Sequence, residues 1–252
     1  MSGGLYLSST LVIGFKKSLK SKEKYKFTNI EEDLEFEFLN REDKKTIVCS
    51  PLEWIEKSKN NGIKEVYLYM MKCDDYSISG YANTSSLGII TIDDKNEYYF
   101  WSPNWTFNNE TKAWLVTYKE HRLINFSKDK IIVKNNISKF KDALKNILEH
   151  AKKIGLKWYI NQFNYALCIL EGKDIDIQSN NFRKPLKIDL DGESKSIMEA
   201  VNQAWVFGGM GSWNDSPFAI ALELGIEDEY KKVSSELWNQ LYNAVFYAIN
   251  NL

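Results

Sequence analysis

The chain has 252 residues, enough for one large domain or two small, closely packed ones, and for a sizeable core without disulfide or metal staples. An apolar fraction of 44% with 14% aromatics excludes a disordered polymer. Thirty-three basic residues against thirty-four acidic ones leave a net charge of -1, which argues against a dedicated nucleic-acid binder with a basic stripe.

Cys49, Cys73 and Cys168 are odd in number, far apart and never in a CxxC pair. They read as reduced thiols of a cytoplasmic protein. With His121 and His150 the only histidines, no ligand set with zinc spacing is present, and no metal or cofactor is expected. The opening stretch lacks the basic start of a signal peptide, and no segment approaches the 18 or so apolar residues of a membrane span.

In chain order, the first half alternates strand-like runs with turns. The runs are 5–15, 24–30, 33–39, 46–50, 65–73, 86–92, 97–102, 113–118 and 130–134. In 33–39 the alternation is clear, with Leu34, Phe36 and Phe38 on one face and Glu35 and Glu37 on the other. Asp93–Asn96 reads as a hairpin connection. A helix is expected from Pro51 to about Lys59, with Pro51 at its first position and Gly62 as its stop. From Ile137 the period becomes helical. Ile137, Phe140, Leu144, Ile147, Leu148 and Ala151 form a stripe stopped by Gly155. Trp158–Leu170 reads as a second helix, with a strand as the alternative. A polar connection follows over 171–194, then a short helix marked by Ile197, Val201, Ala204 and Trp205. The last helix carries Val233, Leu237, Leu241, Val245 and Ile249. The expectation is an α+β fold. It has a mostly antiparallel sheet in residues 1–135 and helices in 136–252, packed as a single compact unit.

The sharpest local signal is VFGGMGSWNDSP, Val206–Pro217. It is neither a phosphate loop, which needs a Lys after its glycines, nor a dinucleotide fingerprint, which needs a third spaced glycine. Ser212 lacks the second glycine of a nucleophile elbow. Two readings stay open. In one, a tight helix-ending turn inserts Phe207, Met210 and Trp213 into the core. In the other, Trp213 and Asp215 stand on a rim as a contact hot spot. The paired acids Asp74/Asp75, Asp174/Asp176 and Asp189/Asp191 read as solvated turns. The aromatic block Tyr98–Trp105 is either half core or a groove wall. The run Asn29–Asp43, with Glu31, Glu32, Asp33, Glu35 and Glu37, is the strongest charge signal and suits a basic partner.

Residues Ser194–Leu252, and FGGMGSWND above all, resemble the C-terminal segment of small cytosolic immunity-type proteins of bacterial toxin–immunity systems. The resemblance implies a non-enzymatic protein that binds and neutralises a cognate toxin domain, with no membrane association. Trp213, Asp215 and the five acids of the strand run are then its contact candidates. The alternative is a hydrolase or nucleotide-processing enzyme with Gly208–Asp215 bordering its pocket.

Overall fold

The structure, a computed structural model, describes residues 1–21, 25–27, 30–39, 46–71, 75–78, 83, 86–173 and 183–252. The fold is α+β, with a sheet in the N-terminal half and helices in the C-terminal half. By contacts the chain divides into two units. A sheet unit comprises Gly3–Lys72 and Ser85–Ile132, and a helical unit comprises Met1–Ser2, Cys73–Thr84 and Val133–Asn251. The seam at 132/133 falls where the hydrophobic period changes from strand to helix.

The sheet unit opens with helix α1 (Gly3–Lys20). This corrects the strand expected over 5–15. Leu5, Leu7, Leu11, Val12, Ile13 and Phe15 are buried, and so are Ser8, Ser9 and Thr10, so the helix is enclosed on most sides and shows no polar face to betray its period. Two of its hydroxyls find partners inside: Thr10 donates to the Tyr6 carbonyl one turn back at 2.9 Å, and Ser8 Oγ lies 2.9 Å from Tyr118 Oη.

Among the described residues six strands follow: β1 (Asp33–Phe38), β2 (Thr46–Val48), β3 (Ile63–Met70), β4 (Leu87–Asp93), β5 (Tyr98–Asn108) and β6 (Ala113–Leu123). Their order is β2-β1-β6-β5-β4-β3. Only β1 and β6 pair in parallel, with Glu35 opposite Thr117 and Glu37 opposite Lys119. Helix α2 (Pro51–Asn60) lies between β2 and β3. Ser50 caps it by accepting from the Glu53 amide at 3.1 Å, and Gly62, at φ +85°, turns the chain out of it. Strand β5 runs past its pairing with β4, which ends at Trp101. Among the described residues, Pro103 therefore sits where β5 has β6 as its only ladder neighbour, the position at which a missing amide is tolerated.

One sheet face receives α1 and packs a block of rings. Phe36 stacks on Trp54 at 4.7 Å and on Tyr118 at 5.4 Å, and Trp101 meets Phe36, Phe38 and Trp54 edge-on. The aromatic block of β5 is thus core at Tyr99, Phe100 and Trp101. On the other face Ile90, Ile92 and Phe100 are covered by Phe126 and Ile131. That cover replaces the strand expected over 130–134. The backbone there is a 3-10 turn (Lys128–Lys130) followed by irregular chain, with Ile131 buried and Ile132 exposed. Of the strand expected over 24–30, the described residues form none. Tyr25–Phe27 is irregular, its two rings meeting edge-on at 4.9 Å, while Lys24, Thr28 and Asn29 lie outside the described residues.

The helical unit contains α3 (Ile137–Lys153), α4 (Lys157–Glu171), α5 (Gly192–Ala204), α6 (Ser216–Glu223) and α7 (Glu227–Asn250). Helix α3 packs on α4 and α7, and α5 packs on the same two, which closes a four-helix cycle with α6 leaning on α7. The stripe from Val233 to Ile249 on α7 is buried throughout. Helix α4 settles the open choice over 158–170, and its C-cap Gly172 is left-handed at φ +65°.

Gly88, in β4, has no room for a side chain. A Cβ there would meet the Trp101 carbonyl at 2.4 Å and the Phe100 ring at 2.6 Å. Gly88→Ala is expected to cost about 1–3 kcal/mol. Denaturant titration checks this, with a cost below about 0.5 kcal/mol counting against so tight a fit.

Candidate functional site

The glycine-rich loop is built downward from the end of α5. Trp205, Val206 and Phe207 remain buried, and the chain then turns out through Gly208 and Gly209 to Met210, which is 98% exposed. Gly211, at φ +77°, reverses it, and Trp213 returns to the interior with no exposed surface. The Trp213 amide donates to the Val206 carbonyl at 3.0 Å, and the Gly211 amide donates to Asp215 Oδ2 at 2.8 Å. Asn214 Nδ2 bonds the Tyr76 and Gly208 carbonyls at 2.8 and 3.2 Å. Trp213 Nε1 donates to Ser234 Oγ at 2.8 Å, its ring stacks on Tyr230 at 5.6 Å, and Tyr159 and Phe163 approach edge-on.

The packed-turn reading therefore holds for Phe207 and Trp213, and two expectations are corrected. Trp213 is no rim anchor, because its large ring fills the centre of the helical unit. Met210 is not inserted, because the backbone reversal at Gly211 points it to solvent. Asp215 is exposed, with its carboxylate turned onto its own loop.

Burial around Trp213 alters nearby titration. The Tyr159 hydroxyl is pushed up to about 12 by burial and then by the charge of Asp215. Burial also raises Tyr230, which donates to the Trp213 carbonyl at 2.6 Å. His150, fully buried on α3, is lowered by desolvation, with Glu229 opposing. Its Nδ1 lies 3.4 Å from Glu229 Oε1 without the alignment of a hydrogen bond.

Of the acids of the 29–43 run, β1 holds Asp33, Glu35 and Glu37, its alternation as the sequence reads it. Leu34, Phe36 and Phe38 point into the ring block, and Glu35 and Glu37 point to the opposite face. Glu35 accepts from Thr117 Oγ1 at 3.2 Å, and Glu37 lies 3.8 Å from Lys119 Nζ. Glu31 and Asp33 are exposed and Glu32 is half-buried, while Asn29 and residues 40–43 lie outside the described residues. Asp74, Asp174, Asp176 and Cys73 lie outside them as well. The same sheet face carries Ser102 Oγ, 2.9 Å from His121 Nε2. His121 is thus a strand residue rather than part of the surface turn its polar neighbours imply.

A second polar feature was not read from the sequence as a site. Where the β4–β5 hairpin meets the α2–β3 turn, a cleft of about 570 Å³ is lined by Asn60, Asp93, Asp94, Glu97, Tyr99 and Arg122, among others. Buried Asp93 accepts the Lys95 and Glu97 amides at 3.0 and 2.8 Å. Tyr99 donates to Glu97 Oε2 at 2.8 Å, and Arg122 pairs with Glu97. The Asp-Asp-Lys-Asn-Glu hairpin was the available signal, but Arg122 joins it only through the register of β5 with β6.

Among the described residues no three His, Cys, Asp or Glu side chains gather as a metal site, and no helix is long and apolar enough to cross a membrane. Fold and surfaces together define an α+β protein with an acidic, polar sheet face and a glycine loop anchored by the buried Trp213. No family model, curated protein or solved structure matches the chain.

Truncating Trp213→Ala is expected to cost about 3–5 kcal/mol. Met210→Ala should stay within about 0.5 kcal/mol of wild type. Equilibrium unfolding of both variants checks the inside–outside assignment, and equal costs would reverse it. For His150 the fold favours the neutral ring, so the unfolded chain takes up its proton first as the pH falls. Stability is expected to decline as the pH drops below about 6.5, and His150→Gln should flatten that part of the profile. Urea midpoints measured from pH 7.5 to 5 decide it.

Proposed function

We propose that the chain is a non-enzymatic binding protein of the immunity type, acting in the cytoplasm by holding a cognate toxin domain through the acids of β1. The observation that supports this is the placement of Asp33, Glu35 and Glu37 on a strand paired along its length with β6, with Glu31 and Glu32 leading into it and Glu31 and Asp33 exposed. Charges fixed on a rigid sheet meet a basic surface without first paying the ordering entropy of a loose loop, and they speed association by steering it. Asp215, beside the exposed Met210, is a separate contact candidate on the helical unit, with Met210 taking the apolar role first given to Trp213.

Native co-purification from the source cell, followed by mass spectrometry, identifies the partner. The expected result is a stoichiometric toxin domain whose activity the purified chain inhibits. The triple variant Glu31→Lys, Glu32→Lys, Asp33→Lys should lower affinity at least tenfold, most steeply at low salt, with the unfolding midpoint nearly unchanged. An unchanged affinity sinks the role of the strand. A recovered partner with no toxicity, or none that the chain blocks, sinks the immunity reading itself.

A further inference from the structure

The helical unit contains a guanidinium that the fold has taken partly out of water with no counter-charge among the described residues. Arg183 is half-buried, and its Nε is fully enclosed with no hydrogen-bond partner. Among the described residues its side chain forms no ion pair and no hydrogen bond. Its guanidinium carbon lies 6.0 Å from the centroid of the Trp158 ring. The residue is nonetheless held firmly. Gln203, buried on α5, clamps its main chain from both sides, accepting the Arg183 amide at 3.1 Å and donating to the Arg183 carbonyl at 2.9 Å. The strap that follows is tied to the same helix, with Asn202 donating to the Lys184 carbonyl at 3.0 Å and Glu199 accepting the Leu186 amide at 2.9 Å.

Leaving a guanidinium partly desolvated and unpaired costs free energy unless something supplies the missing acceptor. A planar fork of donors held against an aromatic ring is matched in geometry by a carboxylate or phosphate oxygen pair. Trp158 is 42% exposed, so one flat apolar surface stands open beside the fork. Tyr159, next in the chain, links the place to the glycine loop by donating to the Gly211 carbonyl at 3.2 Å.

We propose that Arg183 and Trp158 form a binding site for an oxyanion group, carboxylate or phosphate, carried on a planar apolar body that lies on the Trp158 ring. The pairing fixes the roles: Arg183 grips the charge in a bidentate pair, and Trp158 selects the body attached to it. Arg183, clamped through Gln203, is set in place before any ligand arrives.

The chain has three arginines, Arg41, Arg122 and Arg183, so full-length protein labelled with 15N-arginine gives three Nε–Hε signals. Sodium benzoate, phenyl phosphate and inorganic phosphate are each titrated at constant ionic strength against chloride. The Arg183 signal is expected to shift saturably, with half-saturation on the order of 1–10 mM. The Arg122 signal, held by Glu97, should stay in place. A larger response to benzoate assigns the group to a carboxylate, and a larger response to phenyl phosphate assigns it to a phosphate. Trp158→Ala should weaken both aromatic ligands and leave inorganic phosphate unchanged. Arg183→Lys should weaken binding about tenfold, because a point charge replaces the fork. In the ligand-free protein, Arg183→Met should unfold at the same temperature or higher, since it removes an unpaired charge and keeps the packing on Trp158. A flat titration, or a linear drift shared with Arg122, overturns the proposal. So does an Arg183→Met variant that is markedly less stable without ligand, which would make the guanidinium a structural group.

Discussion

Phe36 lies face to face with Trp54 on one side and Tyr118 on the other, and the layers of the sheet unit meet at that stack. Strand β1 pairs in parallel with β6, so no hairpin turn brings the two together, and their register depends on contacts between residues far apart in sequence. The stack supplies those contacts. It joins β1 to β6 directly and to α2 through Trp54, while Phe15 of α1 and Trp101 of β5 close on Trp54 edge-on. Once Phe36 is seated, the period of two leaves Glu35 and Glu37 no choice of face, and they come to rest opposite Thr117 and Lys119. The acidic surface of the sheet unit is therefore a consequence of where an aromatic residue had to go.

Trp213 plays the corresponding part in the helical unit. Its ring is stacked on Tyr230, edged by Tyr159 and Phe163, and tied through Nε1 to Ser234, so it binds α4 and α7 to the loop that follows α5. A loop with three glycines would lose much entropy on ordering, and the buried ring offsets that loss together with the bonds made by Asn214 and Asp215. What the loop leaves outside is Met210. The polar side chains of α5 do similar work: Asn202 and Gln203 are buried, yet both are spent on the main chain of the strap that carries Arg183. Buried amides placed this way specify where a segment without secondary structure must lie.

Most of the strands and helices were legible in the sequence because their periods survive burial on one face. β1 alternates, α3 carries its stripe, and α7 repeats an apolar residue every fourth position. The exceptions share one physical cause, which is that the local pattern was silent about the partner. α1 is buried on most sides, so its apolar run had no polar face to set the period, and its β-branched and aromatic content pointed to a strand. The run at 130–134 has strand composition but pairs with no strand among the described residues, and it contributes a single buried residue, Ile131, as cover for the sheet. At the candidate site, the sequence marked the acids of β1 and the glycine loop. It could not say which large side chain of the loop turns inward, nor that Arg122 would join Glu97 across a strand pair.

The sequence by itself determined the α+β class, the β1 alternation that sets its acids apart from its buried face, and the turn chemistry of Gly62, Gly155 and Gly211. These depend on residue type and on spacing within a few positions. Only the tertiary structure decided that α1 is a helix, that Trp213 is core while Met210 is surface, and that Arg183 is held against Trp158. Those outcomes rest on which distant side chains fill the space around a residue, and burial is a property of that neighbourhood rather than of the residue itself.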